Sequence, residues 1–114
     1  MDLAEVCYGL TRTFPKEETY GMTSQVRRSA AAVPANIAEG HGRDGPGEFV
    51  QFLRIAQGSL KELETHLILA SRVGLTDEEE TAPILERCEI VGKMLRSLIR
   101  SVQVRKKTGV RNRE

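Results

Sequence analysis

RRSAAAVPANIAEG, residues 27–40, decides the fold. Its alanines favour a helix, but Pro34 sits among them. Proline lacks a backbone donor, and it biases the residue before it away from helical geometry. The chain therefore either stops at Pro34 or runs through it as one helix. Val26, Ala30, Val33 and Ile37 follow one another in steps of 4, 3 and 4, so the apolar phase crosses Pro34 without a slip. A helix begun afresh at Pro34 would have no reason to keep Val26 and Ala30 on the face of Val33 and Ile37. The spacing predicts one helix over about 24–39, kinked at Pro34. The lost bond to the Ala30 carbonyl and the ring clash cost about 3 kcal/mol in an unadapted helix, which packing must offset. Ser29, Ser59 or a water is expected to satisfy the freed carbonyl.

The same rhythm extends in both directions. Leu3, Cys7, Leu10 and Phe14 mark a first helix, ended by Phe14-Pro15 because a residue before proline resists the helical region. Phe49, Leu53, Ala56, Leu60, Leu63, Leu67 and Ala70 alternate steps of 4 and 3, the mark of a bundle seam. DGPG at 44–47 is the turn before that helix, and Gly74 its stop. Ile84, Cys88, Val91, Leu95, Leu98 and Val102 repeat the pattern in a fourth helix. Thr76 and Glu79 read as its capping box, and Pro83 suggests a short turn first, with Thr81 capping the main helix. No segment alternates as a strand does. The expected fold is all-α: an antiparallel up-down-up-down four-helix bundle with helices at about 2–14, 24–39, 48–72 and 77–104. Residues 1–104 form the domain, and 105–114 are a basic, disordered tail.

Helix lengths do not match in this scheme. Helix 3 spans roughly 37 Å, whereas helix 1 gives about 20 Å. Phe49, Phe52, Leu98, Ile99 and Val102 are then expected to lack part of their cover. A patch of that kind marks a partner surface or a chain lacking an N-terminal extension.

Composition sets the class. With 39% apolar and 29% charged residues among 114, the chain supports one packed domain rather than wholesale disorder. No apolar run approaches the roughly 20 residues of a membrane helix, and MDLAEVCYGL does not resemble a signal peptide; a cytoplasmic location is expected, with no membrane partner. Cys7 and Cys88 fall on apolar positions of helical patterns and read as small core residues, with a redox pair as the rival reading. The last ten residues carry +4 against a net +1 for the chain, which leaves −3 for the body. Such a tail suits phosphate backbones, although the commoner role of a basic end is solubility.

FPKEETYGMTSQVRRSAAAVPANIAEGHGR (14–43), followed by FVQFLRIAQGSLKELETHL (49–67), resembles the four-helix bundle protein family, also described as 23S ribosomal RNA intervening-sequence proteins. The resemblance spans about residues 3–102 and extends to the accessory variability proteins of diversity-generating retroelements. It implies a small bacterial bundle assembled as a ring, typically a homopentamer, of a family for which no catalytic activity is established. Through the retroelement relatives it implies accessory factors that bind a reverse transcriptase and nucleic acid. Family members carry more of helix 1, beginning with a segment rich in Trp and Lys; this chain enters midway, in line with the length mismatch.

The residues offer little for catalysis. His41 and His66 are the two histidines. Glu62 and His66 share a face, but no second pair completes a di-iron set, so a surface polar pair is the expected reading. EGHGRDGPG (39–47) lacks the Lys-Ser/Thr ending of a phosphate loop, and no strand precedes it. No catalytic, cofactor or metal site is expected. Arg27, Arg28 and Arg43, with Arg105, Lys106 and Lys107, are the candidate phosphate contacts. For Arg27 and Arg28 the rival role is pairing with Glu39, Glu62 or Glu64. Asn36 and Glu39 are expected in a polar network that fixes helix packing, with Glu62 a further structural polar position. Gly58 costs about 1 kcal/mol relative to alanine in a helix interior, which close approach to Ala30, Ala31 and Ala35 would explain. The functional expectation is a non-enzymatic oligomeric scaffold contacting RNA, DNA or a nucleic-acid enzyme such as a reverse transcriptase; the alternative is a bundle serving protein partners only.

Overall fold

The computed structural model describes the backbone of residues 2–112 and the side chains of residues 2–105. Four helices form, and no strand occurs among the described residues: α1 (Asp2–Thr11), α2 (Met22–His41), α3 (Pro46–Arg72) and α4 (Glu78–Asn112), with a 3₁₀ turn at Lys16–Glu18. Each helix touches two others. α2 packs along α3, α3 along α4, and α1 lies against both α2 and α4.

The apolar phase of the sequence is the core. Cys7, Val26, Ala30, Leu53, Ala56, Leu63, Leu67, Ala70 and Cys88 are fully buried. α2 does run through Pro34 without interruption. The Ser29 hydroxyl donates to the Gln25 and Val26 carbonyls, so it does not serve the Ala30 carbonyl.

Helix ends differ from the sequence reading, and capping explains why. α1 stops at Thr11 rather than 14, because Thr13 and Phe14 tighten into bonds to Leu10 and Thr11. Phe14 still plugs the core at 8% exposure. α2 begins early, at Met22, whose N–H donates to the Glu18 carboxylate. α3 opens at Pro46, where the missing proline donor is harmless. It closes on Gly74, at φ +84, with Leu75 N–H bonding the Ala70 carbonyl and Gly74 N–H the Ser71 carbonyl. The cap of α4 is Asp77, which accepts from the Glu80 N–H at 2.8 Å; Thr76 instead donates to the Glu80 side chain. No break follows: Pro83 lies inside α4, and Thr81 is buried and bonded back to Asp77 rather than capping a second helix. The backbone of α4 stays helical to Asn112 and so enters the stretch read as a tail; extending an existing helix needs no new nucleus.

The patch expected from the length argument is uncovered only in part, and further apolar residues are exposed elsewhere. Ile99 and Val102 are buried, at 6% and 2% exposure, while Phe49, Phe52 and Leu98 are half-buried. The large apolar residues left exposed include Ile55, Ile68, Leu69 and Val73 on or just beyond α3, and Ile90 and Met94 on α4. No helix among the described residues is long and apolar enough to cross a membrane.

Candidate nucleic-acid interface

Three arginines of the signature region are each engaged within the chain. Arg27 follows core Val26 and turns toward α1: its Nε donates to Thr11 Oγ1 at 2.7 Å, and its guanidinium lies 4.7 Å from the centre of the Tyr8 ring. Arg28, on the next position of α2, reaches α3. Its Nη2 sits 2.7 Å from Glu62 Oε2 and the same distance from Gln25 Oε1. Glu62 is also faced by His66, with Nε2 at 3.9 Å, and the hydrogen bond from Arg28 holds its carboxyl below the ordinary range. Arg43 closes the α2–α3 turn through Glu39 at 2.7 Å, with its guanidinium 5.1 Å from the centre of the Phe52 ring. These side chains fasten α1 to α2, α2 to α3, and the turn between α2 and α3.

The polar positions expected to form a network across helices do not all meet. Asn36 Nδ2 donates to the Ala32 carbonyl of its own helix. Glu39 is exposed and pairs only with Arg43 among the described residues. Glu62 alone of that group bridges two helices.

Gly58 does not mark a close helix approach: a Cβ built there meets nothing within 4 Å. The tight contact is at Gly40. A Cβ at that position would lie 2.7 Å from Phe52 Cβ and 3.0 Å from Phe49 Cδ1. Gly58 instead opens on a groove of about 750 Å³ between α3 and α4, lined among others by Arg54, Lys61, Gly92 and Arg96. Neither Arg54 nor Arg96 is among the phosphate contacts expected from the sequence. The available signal was charge segregation: 90–105 holds Lys93, Arg96, Arg100 and Arg105 and no acid, whereas Asp77, Glu78, Glu79 and Glu80 crowd the start of α4.

Arg105 lies on α4 near Ser97, Arg100 and Ser101, beside a second, shallower hollow. Lys106 and Lys107 fall outside the residues whose side chains are described. Both cysteines are buried thiols, and burial pushes Cys7 up to about 11 and Cys88 up to about 12. No three of the described His, Cys, Asp and Glu side chains gather as a metal site would require. No curated protein matches the chain. The family model described as 23S rRNA-intervening sequence protein matches residues 1–97.

Proposed function

The chain belongs to the 23S rRNA-intervening sequence protein family, and from that premise we propose that it is a non-enzymatic, oligomeric scaffold of bundled helices that holds nucleic acid. The observation that carries the reading is the apolar surface on α4. Ile90 and Met94, one turn apart, are 58% and 64% exposed. α1, at 10 residues against 27 for α3, leaves much of the bundle's length without a fourth helix. Apolar pairs left open in this way favour burial against another copy. The arrangement we assign is antiparallel and up-down-up-down. It is supported by the contacts of α2 with α3, where Arg28 meets Glu62 and Gly40 meets Phe52, in opposite order along the two helices. We assign a bend in α2 at Pro34, where the ring excludes the bond to Ala30.

Light scattering coupled to gel filtration tests the assembly. A closed ring, five copies by family resemblance, is expected; Met94→Glu is expected to shift it toward monomer. A monomeric wild-type chain overturns the reading. One observation favours the second reading, a purely protein-interaction or structural bundle without nucleic-acid contact: Arg27, Arg28 and Arg43 are all satisfied internally. Absence of RNA and DNA binding at low salt would leave that second reading standing.

A further inference from the structure

We infer that the groove between α3 and α4 is the seat of a nucleic-acid strand, whose backbone phosphates are taken by Arg54 and Arg96. This rests on the reading of the bundle as a nucleic-acid scaffold and names the surface it uses.

Two glycines line the groove. Gly58 gives up about 1 kcal/mol of helix preference, and no neighbour within 4 Å accounts for it by contact. What the missing side chain provides is space. Across the groove, Arg96 lies over Gly92: a Cβ there would sit 3.5 Å from Arg96 Nη1, an ordinary contact distance. A large side chain at position 58 would project into the groove.

Arg54 and Arg96 are also uncommitted. Neither makes an ion pair or hydrogen bond among the described residues, unlike Arg27, Arg28 and Arg43. A guanidinium is always charged, and its fork of donors matches a phosphate. Of the other charges that line the groove, Lys61 lies 3.3 Å from Glu64, and Glu89 turns to Lys93, outside the groove, at 3.8 Å. Three basic and two acidic side chains line the groove, a net of one positive charge, and Arg54 and Arg96 are the lining bases with no ion pair among the described residues. A net charge of +1 gives the surface as a whole little attraction for a polyanion, so phosphate contact depends on local clusters.

The pattern suits a strand better than a single anion. Arg100 follows Arg96 by one turn of α4, about 6 Å along the axis. The basic run continues from the groove along α4, with no acid from residue 90 to 105.

The test is fluorescence anisotropy with a labelled oligouridine of about 20 nucleotides, longer than one site of roughly 4–16. Wild type, the double variant Arg54→Ala with Arg96→Ala, Gly58→Leu and Arg28→Ala are compared across a salt series. Thermal midpoints confirm that each variant is folded. The expected result is binding by wild type, weakened about tenfold or more in the double variant. Its slope of log affinity against log salt should fall by about 1.4, the value for two lost single-strand phosphate contacts. Gly58→Leu, which removes no charge, is expected to weaken binding several-fold by filling the groove, and Arg28→Ala to leave it within about twofold. If wild type binds and the double variant or Gly58→Leu binds equally well, the groove is not the site, while the scaffold reading stands. If sodium phosphate at matched ionic strength displaces the strand far better than chloride, the site takes a free anion and the strand proposal fails. If wild type does not bind at low salt, the nucleic-acid reading falls, and this site with it.

Discussion

Replacing Gly40 with alanine sets local helix preference directly against packing between helices. Alanine is the better helix former by up to about 1 kcal/mol, and by less this close to the end of α2. The added Cβ would stand 2.7 Å from Phe52 Cβ, where carbon atoms normally rest at about 3.5–4.0 Å. Phe52 Cβ is tied to the backbone of α3 and cannot swing aside as a ring can. α2 and α3 must part locally, and such overpacking costs about 1–3 kcal/mol. The net expectation for Gly40→Ala is a loss of about 1–2 kcal/mol. Gly58→Ala has the same chemistry with no neighbour within 4 Å, so it is expected to stabilise by about 0.5–1 kcal/mol. Urea unfolding followed by circular dichroism measures both against wild type. All samples must be at one protomer concentration, because assembly adds a concentration-dependent stabilisation. The two variants should move in opposite directions, about 1.5–3 kcal/mol apart. A Gly40→Ala protein as stable as wild type, or two variants shifting the same way, would refute the assignment of Gly40 as the α2–α3 contact and Gly58 as open.

Three further outcomes follow from the arginines and cysteines. Arg27→Ala removes a charged hydrogen bond to Thr11 and the contact with the Tyr8 ring; a loss of about 1–2 kcal/mol is expected, with faster amide exchange in α1 than elsewhere. Arg28→Ala breaks an exposed pair and should cost under about 1 kcal/mol at neutral pH. The Glu62 carboxyl is held below its ordinary value of 4.5, so this contribution is present above that value and lost as pH falls through the lowered one; a wild-type-to-variant gap that persists in strong acid would contradict the pairing. Cys7 and Cys88, buried and raised to about 11 and 12, should resist a thiol reagent at pH near 8 until urea unfolds the chain. Rapid labelling of the native protein would contradict their burial.

The helical phase was legible because periodicity is a local property. Val26, Ala30, Val33 and Ile37 carry α2 through Pro34 whatever surrounds them, and the α3 seam from Leu53 to Ala70 is buried as its spacing requires. Helix ends were less legible: Asp77 rather than Thr76 caps α4, because both residue types can accept from a free N–H and only the path of the turn selects between them.

What the sequence by itself determined is four amphipathic helices, their order, and the faces they bury, since each follows from residue spacing along one helix. What tertiary structure decided is which residues meet across helices. Gly40 and Gly58 look alike in sequence, yet one touches Phe52 and the other opens on a groove. Arg28 and Arg54 likewise differ only in what lies opposite: Glu62 faces the first, while the second has no partner among the described residues. Those outcomes depend on the register and rotation of neighbouring helices, set by the packing of the whole core, which no single stretch of sequence contains.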